Sequence, residues 1–490
     1  MNTLSKYFFE LWRTAADWSR IDRAQTSTRD AALIASYNDV LHADDEQKIV
    51  ETLRSRVRAT PTSGLAEISA ALTCMCCIDE MFSRIHPRYL SQAGSTRVAR
   101  TSWLTNYEHT RLKTGYFARD ERNYLLPRGP LLRNNRSEHA SSAEDLADRF
   151  SALSVVSHRF DKDGHQVDVE VSLVSSDAIH GVPLGKRTGN ERIACVAIAE
   201  VSTDIVTTSR LCGDNGFIRY QASEHLKPAN RMLSALQQAG SLDIALAPEL
   251  VMPPSEVERL SDMLRTSSHY DCRLIVAGSG NSDAGASKPP WNESQILNSS
   301  GFPLWKQRKL WPASIPAEKA EKLQLCINPT AAAYFEDNSD SKTLHIVDVD
   351  GLGRCLVLIC QDLKETCISE VLRQYQPDWV FVPILDTGIS PGRWHQKTIF
   401  PLSEVSQARF VVSSCMSLAL RDDPSAQPNL GMFHGPFMPE GGGLDRCVAF
   451  EQSQATDTPH FVVIDWGSHS WKQSSLGVAS PPPAPPASVS

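Results

Sequence analysis

The sequence has no stretch approaching eighteen consecutive apolar residues, so it offers no candidate transmembrane helix. No secretory leader is expected either: in MNTLSKYFFELWRTAADWSR, Glu10, Arg13 and Asp17 interrupt the apolar run that a signal peptide needs. A cytoplasmic protein without membrane contact is expected. Paired CxxC sequences at zinc-ligand spacing are also absent, and Cys74, Cys76 and Cys77 cluster without a matching His or Cys group nearby. The twelve cysteines are sparse for 490 residues, which excludes a small secreted disulfide scaffold. Reduced thiols, no metal and no organic cofactor are expected. There is no excess of positive charge either; a formal net charge of −8 argues against a general nucleic-acid coat. Hydrophobic residues at 41% and charged residues at 22% exclude a wholly disordered, collagenous or coiled-coil chain.

The charge is unevenly spread. Residues 1–190 carry 25 Lys and Arg against 24 Asp and Glu, whereas residues 191–490 carry 24 against 33. Within the first part, Arg97 to Arg136 holds nine basic and three acidic residues, with Trp103, Tyr107, Tyr116, Phe117 and Tyr124 interleaved. Aromatics between cations can stack bases while Arg and Lys hold phosphates, so this segment is the candidate surface for a nucleic-acid or protein partner. A solvated basic face is the plainer alternative.

The hydrophobic pattern divides the chain. Leu33, Ile34, Tyr37, Val40 and Leu41 recur at the spacing of one helix face, as do Ile49, Val50, Leu53 and Val57, then Leu65, Ile68, Leu72, Met75, Phe82 and Ile85. A mainly helical region is expected over 1–145. In 146–190, Val167, Val169, Val171 and Leu173 alternate as in a strand, preceded by a hairpin signal at Asp161 to Gly164. This stretch is read as a short β segment and junction. From 191 the pattern changes to short β-branched apolar runs (191–201, 242–250, 272–280, 355–363, 378–385, 408–416) separated by helical stretches such as 226–238 and 257–267. Buried strands covered by helices predict an α/β layer fold over 191–472. The remainder, 473–490, ends in SPPPAPPASVS and reads as a disordered, proline-rich tail.

Three polar residues stand where buried strands end: Glu249 in LAPEL, Lys309 in WKQRKLWP and Cys360 in LICQDL. Charge at the end of an apolar strand is costly to bury unless it is paired or faces a cleft, and such positions are enriched in functional sites. Their order resembles the Glu-Lys-Cys triad of the nitrilase superfamily of carbon-nitrogen hydrolases, over about residues 191–470. ALAPEL is similar to the strand-end sequence that carries the family's Glu. IVAGSGN followed by WNESQILNSSGFPLWKQRKLWP looks like the family's hairpin block, with Asn292, Gly301 and Lys309 in register. Cys360-Gln361-Asp362-Leu363 matches its Cys-x-Asp-Leu sequence, DWVFVPI its next strand, PLSEVSQARFVVSSCM the helix and strand after that, and GMFHGPFMPEGG its final turn.

The resemblance implies a four-layer αββα sandwich, a homo-oligomer, and a cysteine-dependent hydrolase of a small-molecule amide, carbamoyl compound or nitrile. Cys360 would be the nucleophile, Glu249 the base and Lys309 the cationic stabiliser, with the backbone N–H of Gln361 assisting. It also implies a second glutamate between the Lys and the Cys. Glu321 is favoured over Glu318 for that place, and Glu336 lies 24 residues before Cys360. Asp362 is expected to cap a helix or tie down the loop, and Trp394 and His395 to line the pocket. The sequence departs from the family's pattern at Gln361, at Lys364-Glu365-Thr366-Cys367 and at Glu200, which puts the familiar small-amide and nitrile substrates in doubt. The rival reading is a nitrilase-like scaffold or sensor, such as a companion of a nucleic-acid enzyme in antiphage defence.

Overall fold

The structure, a computed structural model, describes residues 3–26, 30–60, 64–90, 101–132, 145–175, 190–267, 271–285, 288–325, 331, 333–437, 445–453 and 458–473. The proline-rich tail, the stretch before residue 190 and both ends of the basic segment lie outside these residues.

The N-terminal region is helical, and local sequence explains where its helices start. Thr3, Ser19, Asp30 and Asp45 each precede a helix and accept hydrogen bonds from its first free N–H groups, opening Leu4–Ala16, Arg20–Gln25, Ala31–Leu41 and Glu46–Ala59. These helices pack around Leu65–Ser83, which is buried on most of its circumference. Helix Ser102–Thr114 follows and ends at left-handed Gly115.

A three-stranded sheet, in the order Ala118–Arg119, Asn123–Pro127, Leu153–Ser157, joins this bundle to the rest of the chain. Because successive strand residues point to opposite faces, Leu125 and Val155 enter the helical core whereas Tyr124, Leu126 and Val156 enter the main core. Polar pins reinforce the seam. Asp378 accepts hydrogen bonds from the backbone of Leu131 (2.8 Å) and Arg354 (2.9 Å), and the fully buried Arg354 guanidinium reaches Asp348 (2.8 Å) and the Pro127 carbonyl (3.1 Å).

Two large sheets stack face to face. The first runs Pro303–Arg308, Trp291–Leu297, Cys272–Ser282, Leu242–Leu246, Arg192–Val196, Phe461–Asp465. The second runs Lys472–Gln473, Asp445–Glu451, Gly431–Phe437, Arg409–Ser414, Trp379–Ile384, Gly353–Val357, Thr343–Val349, His165–Val174, Arg159–Lys162. Helices Pro228–Ala239 and Pro254–Thr266, each with proline in its first turn, cover the outer face of the first sheet. Thr366–Tyr375 and Phe400–Ser406 cover the second. The expected αββα layering is therefore present, with the helical bundle attached.

The β segment expected at 146–190 is not a separate junction between regions. His165–Val174 pairs in parallel with Thr343–Val349 over seven residues, inside the second sheet. Its hairpin turns at Asp163 and Gly164, both at positive φ, as the Asp-Gly signal predicted. The sheet expected to begin at 191 thus recruits strands from before it.

The basic segment also differs from its reading as a base-stacking surface. Trp103, Tyr107, Phe117 and Tyr124 are buried, Arg128 is buried against Asp148 (2.6 Å) and Arg111 lies 3.9 Å from Asp348. Its described aromatics serve the core because their helix and strand periodicity turns them inwards. Among the described residues no helix is long and apolar enough to cross a membrane.

Candidate active site

Three sheets deliver one residue or more to a single point. Glu249 follows strand Leu242–Leu246, and Lys309 follows Pro303–Arg308 in the same sheet. Cys360 opens a tight turn, Cys360–Lys364, just beyond Gly353–Val357 of the facing sheet. Glu336 closes strand Ala333–Glu336 of a four-stranded sheet ordered Ser314–Pro316, Ala333–Glu336, Asn215–Ala222, Ile205–Cys212.

Lys309 is the hub. Its Nζ lies 2.7 Å from Glu249 Oε1 and contacts Glu336 Oε2, and the Lys309 side chain is 2% exposed. Asn292 Nδ2 donates to both carboxylates, Glu249 Oε1 and Glu336 Oε1, at 3.0 Å each. The remaining acceptor capacity is used by backbone and amide donors: Leu385 N–H to Glu249 (2.9 Å), Ala313 N–H and Asn338 Nδ2 to Glu336 (3.0 and 2.7 Å). Each buried charge thus has several directed partners, the condition under which burial is tolerable.

Backbone conformation aims these groups. Cys360 has φ +52° and Leu250, directly after Glu249, φ +60°, the left-handed region that non-glycine residues enter at a cost. Both sit where a strand must turn sharply to present a side chain. Gly278 (φ +71°) permits the Glu249 turn, since a Cβ there would lie 2.2 Å from the Pro248 carbonyl oxygen. Ser279 then donates its N–H to that carbonyl (3.0 Å) and accepts from Leu250 N–H through Oγ (3.1 Å). Asp362 is the second clamp. Its carboxylate accepts from the backbone N–H groups of Leu310 and Trp311 (3.1 Å) and Ile359 (3.2 Å), locking the residue after Lys309 to the residue before Cys360.

Electrostatics follow from burial. Desolvation opposes charge on Lys309, but Glu249 and Glu336 outweigh it and hold the ammonium's pKa well above its ordinary value. Burial pushes Glu249 up, Lys309 pulls it down and Glu336 pushes it up again, with a net rise. Burial, then the Glu249 charge, drive the Cys360 thiol well above the ordinary range despite Lys309. Burial pushes Asp362 up to about 7 against Lys309 and the three backbone donors. Burial therefore favours the neutral thiol at Cys360, beside a carboxylate of raised pKa and a fixed cation.

Cys360 is 7% exposed and contributes to the wall of a cavity of about 140 Å³ shared with Glu249, Lys309 and Glu336. Gln361 and Trp394 line it too, Trp394 Nε1 donating to Asp386 (2.9 Å). His395 does not line it; the ring turns towards His434 (3.1 Å), Phe400 and Phe450. Glu321, favoured as the second glutamate, is exposed on the short helix Ala317–Lys322, whereas Glu336 is the carboxylate that meets Lys309. The sequence signal was modest, a Glu closing the apolar strand AYFE. Tyr220, Lys319, Asp386 and Arg393 also line the cavity and had no distinguishing sequence context, and Lys364, noted in the sequence only as a departure from the family's pattern, lines it too. A larger cavity, about 470 Å³, opens beside Trp12, Arg128, Arg373 and Val405, and among the described residues no cysteine lines it. Among the described residues no group of three or more His, Cys, Asp and Glu is arranged to hold a metal ion.

No protein-family model matches the chain, and no curated protein matches it. Among solved structures, the chain is similar to Nit3 of Saccharomyces cerevisiae, a member of branch 10 of the nitrilase superfamily: TM-score 0.36, 14% identity, covering 57% of this chain and 90% of that one. It is also similar to an amidase from Nesterenkonia sp., with TM-score 0.33 and 13% identity, covering 57% and 91%.

Proposed function

We propose that the protein is a cysteine-dependent hydrolase of a non-peptide carbon-nitrogen bond, acting through Glu249, Lys309 and Cys360. The observation that carries this reading is the buried Lys309 ammonium, held between Glu249 and Glu336 on the wall of the cavity that Cys360 also lines. A purely structural site has no need to bury a lysine, two carboxylates and a thiol together, because each charge costs several kcal/mol of desolvation, roughly, before its partners offset it.

In this reading Cys360 Sγ attacks the amide carbon while Glu249 takes the thiol proton. Lys309 and the Gln361 backbone N–H stabilise the oxyanion that forms. Glu249 returns its proton to the departing nitrogen as the C–N bond breaks, leaving a thioester on Cys360. Water then attacks the thioester carbon, Glu249 accepts its proton, and the acid leaves as the thiol is reprotonated. Glu336 and Asn292 keep Lys309 and Glu249 aligned throughout. Ammonia or an amine is the first product.

The test needs no substrate. Peptide mass spectrometry after iodoacetamide treatment compares the cysteines in wild type, Glu249→Gln and Lys309→Ala. Rapid alkylation of Cys360 near pH 7 that slows in Glu249→Gln supports an assembled triad. Because Glu249 is raised, the rate should fall on acidification before the ordinary carboxylate range is reached. A Cys360 that reacts no faster than other buried thiols and ignores both substitutions, in a folded protein, removes the hydrolase reading and favours a scaffold.

A further inference from the structure

Outside the Glu249, Lys309 and Glu336 cluster, the charged residues lining the cavity among the described residues are Lys319, Lys364, Arg393 and Asp386. Three separate elements supply the cations: helix Ala317–Lys322, the Cys360–Lys364 turn and the wide helical segment Pro391–Ile399. Asp386 is buried and already engaged, accepting from Arg393 Nη1 (2.7 Å), Trp394 Nε1 (2.9 Å) and Thr387 N–H (2.6 Å), with Lys319 Nζ at 3.8 Å. One carboxylate therefore faces three cations here; with Lys309 between Glu249 and Glu336 deeper in, the described lining as a whole has four cations against three carboxylates, an excess of one positive charge.

Lys364 carries much of that excess. It stands at the end of the turn that Cys360 begins, it is exposed, and its Nζ lies 5.0 Å from the centre of the Trp394 ring, a contact that directs the ammonium without neutralising it. Lys319 feels the crowding. Burial lowers its pKa, and Arg393 and Lys364 add to that fall against Asp386 and Asp422. Cations brought together from three elements, beside the apolar side chains of Leu250, Leu323 and Leu418 and apart from the Glu249, Lys309 and Glu336 cluster, are arranged for an anion.

We propose that Lys319, Lys364 and Arg393 receive an anionic group of the substrate, so that the bond cleaved at Cys360 belongs to a small amide bearing a carboxylate or phosphate near the scissile carbon. This rests on the hydrolase reading above and adds the substrate's charge to it. A cavity of about 140 Å³ keeps that molecule short. The anion would enter along the positive approach and stay there while the amide end reaches the thiol.

The experiment measures alkylation of Cys360 by two reagents of nearly equal size and opposite character, anionic iodoacetate and neutral iodoacetamide. Exposed Cys212 of the same chain is the internal reference. The iodoacetate-to-iodoacetamide rate ratio at Cys360 is expected to exceed that at Cys212 by about tenfold at low salt, and to fall about fivefold in Lys364→Glu, each cation contributing on the scale of a surface ion pair. Raising the salt should shrink the difference. Succinate and inorganic phosphate, each tested for protection of Cys360 against iodoacetamide beside neutral succinamide, distinguish a carboxylate from a phosphate site. Lys364 is exposed, so Lys364→Glu and the milder Lys364→Gln leave the core untouched. Rapid reaction of Cys360 with iodoacetamide, but with the same ratio as Cys212 and no effect of Lys364→Glu, overturns the anionic substrate and leaves the hydrolase standing. Inertness of Cys360 to both reagents overturns the hydrolase reading and this one with it.

Discussion

Replacing Lys309 with methionine should make the protein's stability depend on pH in a direction that identifies the lysine as a buried counter-charge. Methionine fills much of the same volume without the ammonium. What remains is Glu249 and Glu336, both buried, sharing one Asn292 Nδ2 donor at 3.0 Å each. The 2.7 Å ion pair between Lys309 and Glu249, which methionine cannot form, corresponds to a gross attraction of about 6 kcal/mol at an effective dielectric of about 20. Part of that is offset by the desolvation that a neutral methionine avoids. Removing one partner of a buried pair generally costs about 3–5 kcal/mol, and that is the destabilisation expected at pH 8. Without the cation Glu249, already raised by burial and by the neighbouring Glu336 charge, rises further above its unfolded value, so the native variant binds a proton that the unfolded chain has released. A group raised in the folded state gives stability that is lost as pH increases through its folded pKa. The deficit relative to wild type should therefore shrink on going from pH 8 to pH 5. Urea unfolding followed by tryptophan fluorescence across that range measures it. Adding Glu336→Gln should recover part of the deficit, since it removes one of the two stranded charges, and the cycle reports their coupling. A deficit equal at pH 5 and pH 8, unchanged by Glu336→Gln, would refute the description of Lys309 as the ion that neutralises this pair.

Other substitutions probe the scaffold. Glu336→Ala strands Lys309 on one carboxylate and should cost about 3 kcal/mol in urea denaturation, whereas Glu321→Ala, on the exposed helix, should stay within about 0.5 kcal/mol. Gly278→Ala places a Cβ 2.2 Å from the Pro248 carbonyl at φ +71°, so it should lower the melting temperature and slow Cys360 alkylation by displacing Glu249; an unchanged rate would detach Gly278 from the site. In Asp362→Asn an amide N–H₂ must face some of the backbone donors of Leu310, Trp311 and Ile359, a destabilisation of about 1–3 kcal/mol measurable by the same denaturation. In the N-terminal bundle, burial depresses His86 to about 3, helped by Arg88 and opposed by the Arg128 carbonyl. The unfolded chain then binds a proton that the native state refuses, so stability should fall as pH drops from 6.5 towards 3, by about 1.4 kcal/mol per unit for this group; thermal melts of wild type and His86→Gln at pH 7 and 4.5 measure the difference.

Periodicity alone was enough to separate a helical N-terminal region from an α/β region, because amphipathic spacing and short β-branched runs are local properties of the chain. The strand ends carrying Glu249, Lys309 and Cys360 were legible for a related reason: a charge or thiol closing an apolar strand stands out against its neighbours. The Asp-Gly turn before His165 could likewise be read directly, since positive φ at both turn residues favours that pair. What the pattern could not reveal was which strands lie side by side. His165–Val174 joins the sheet through pairing with Thr343–Val349, nearly two hundred residues away, and no local signal encodes that partner. Glu336 lies only 27 residues after Lys309 but was hidden because it reaches Lys309 by way of a third sheet, while Glu321, nearer in sequence, is exposed. Trp103, Tyr107, Phe117 and Tyr124 alternate with cations along the chain, but the folded backbone turns them into two cores. Sequence sets the local conformation of each element; the choice of partner comes from which buried faces and charges meet once the sheets close on one another.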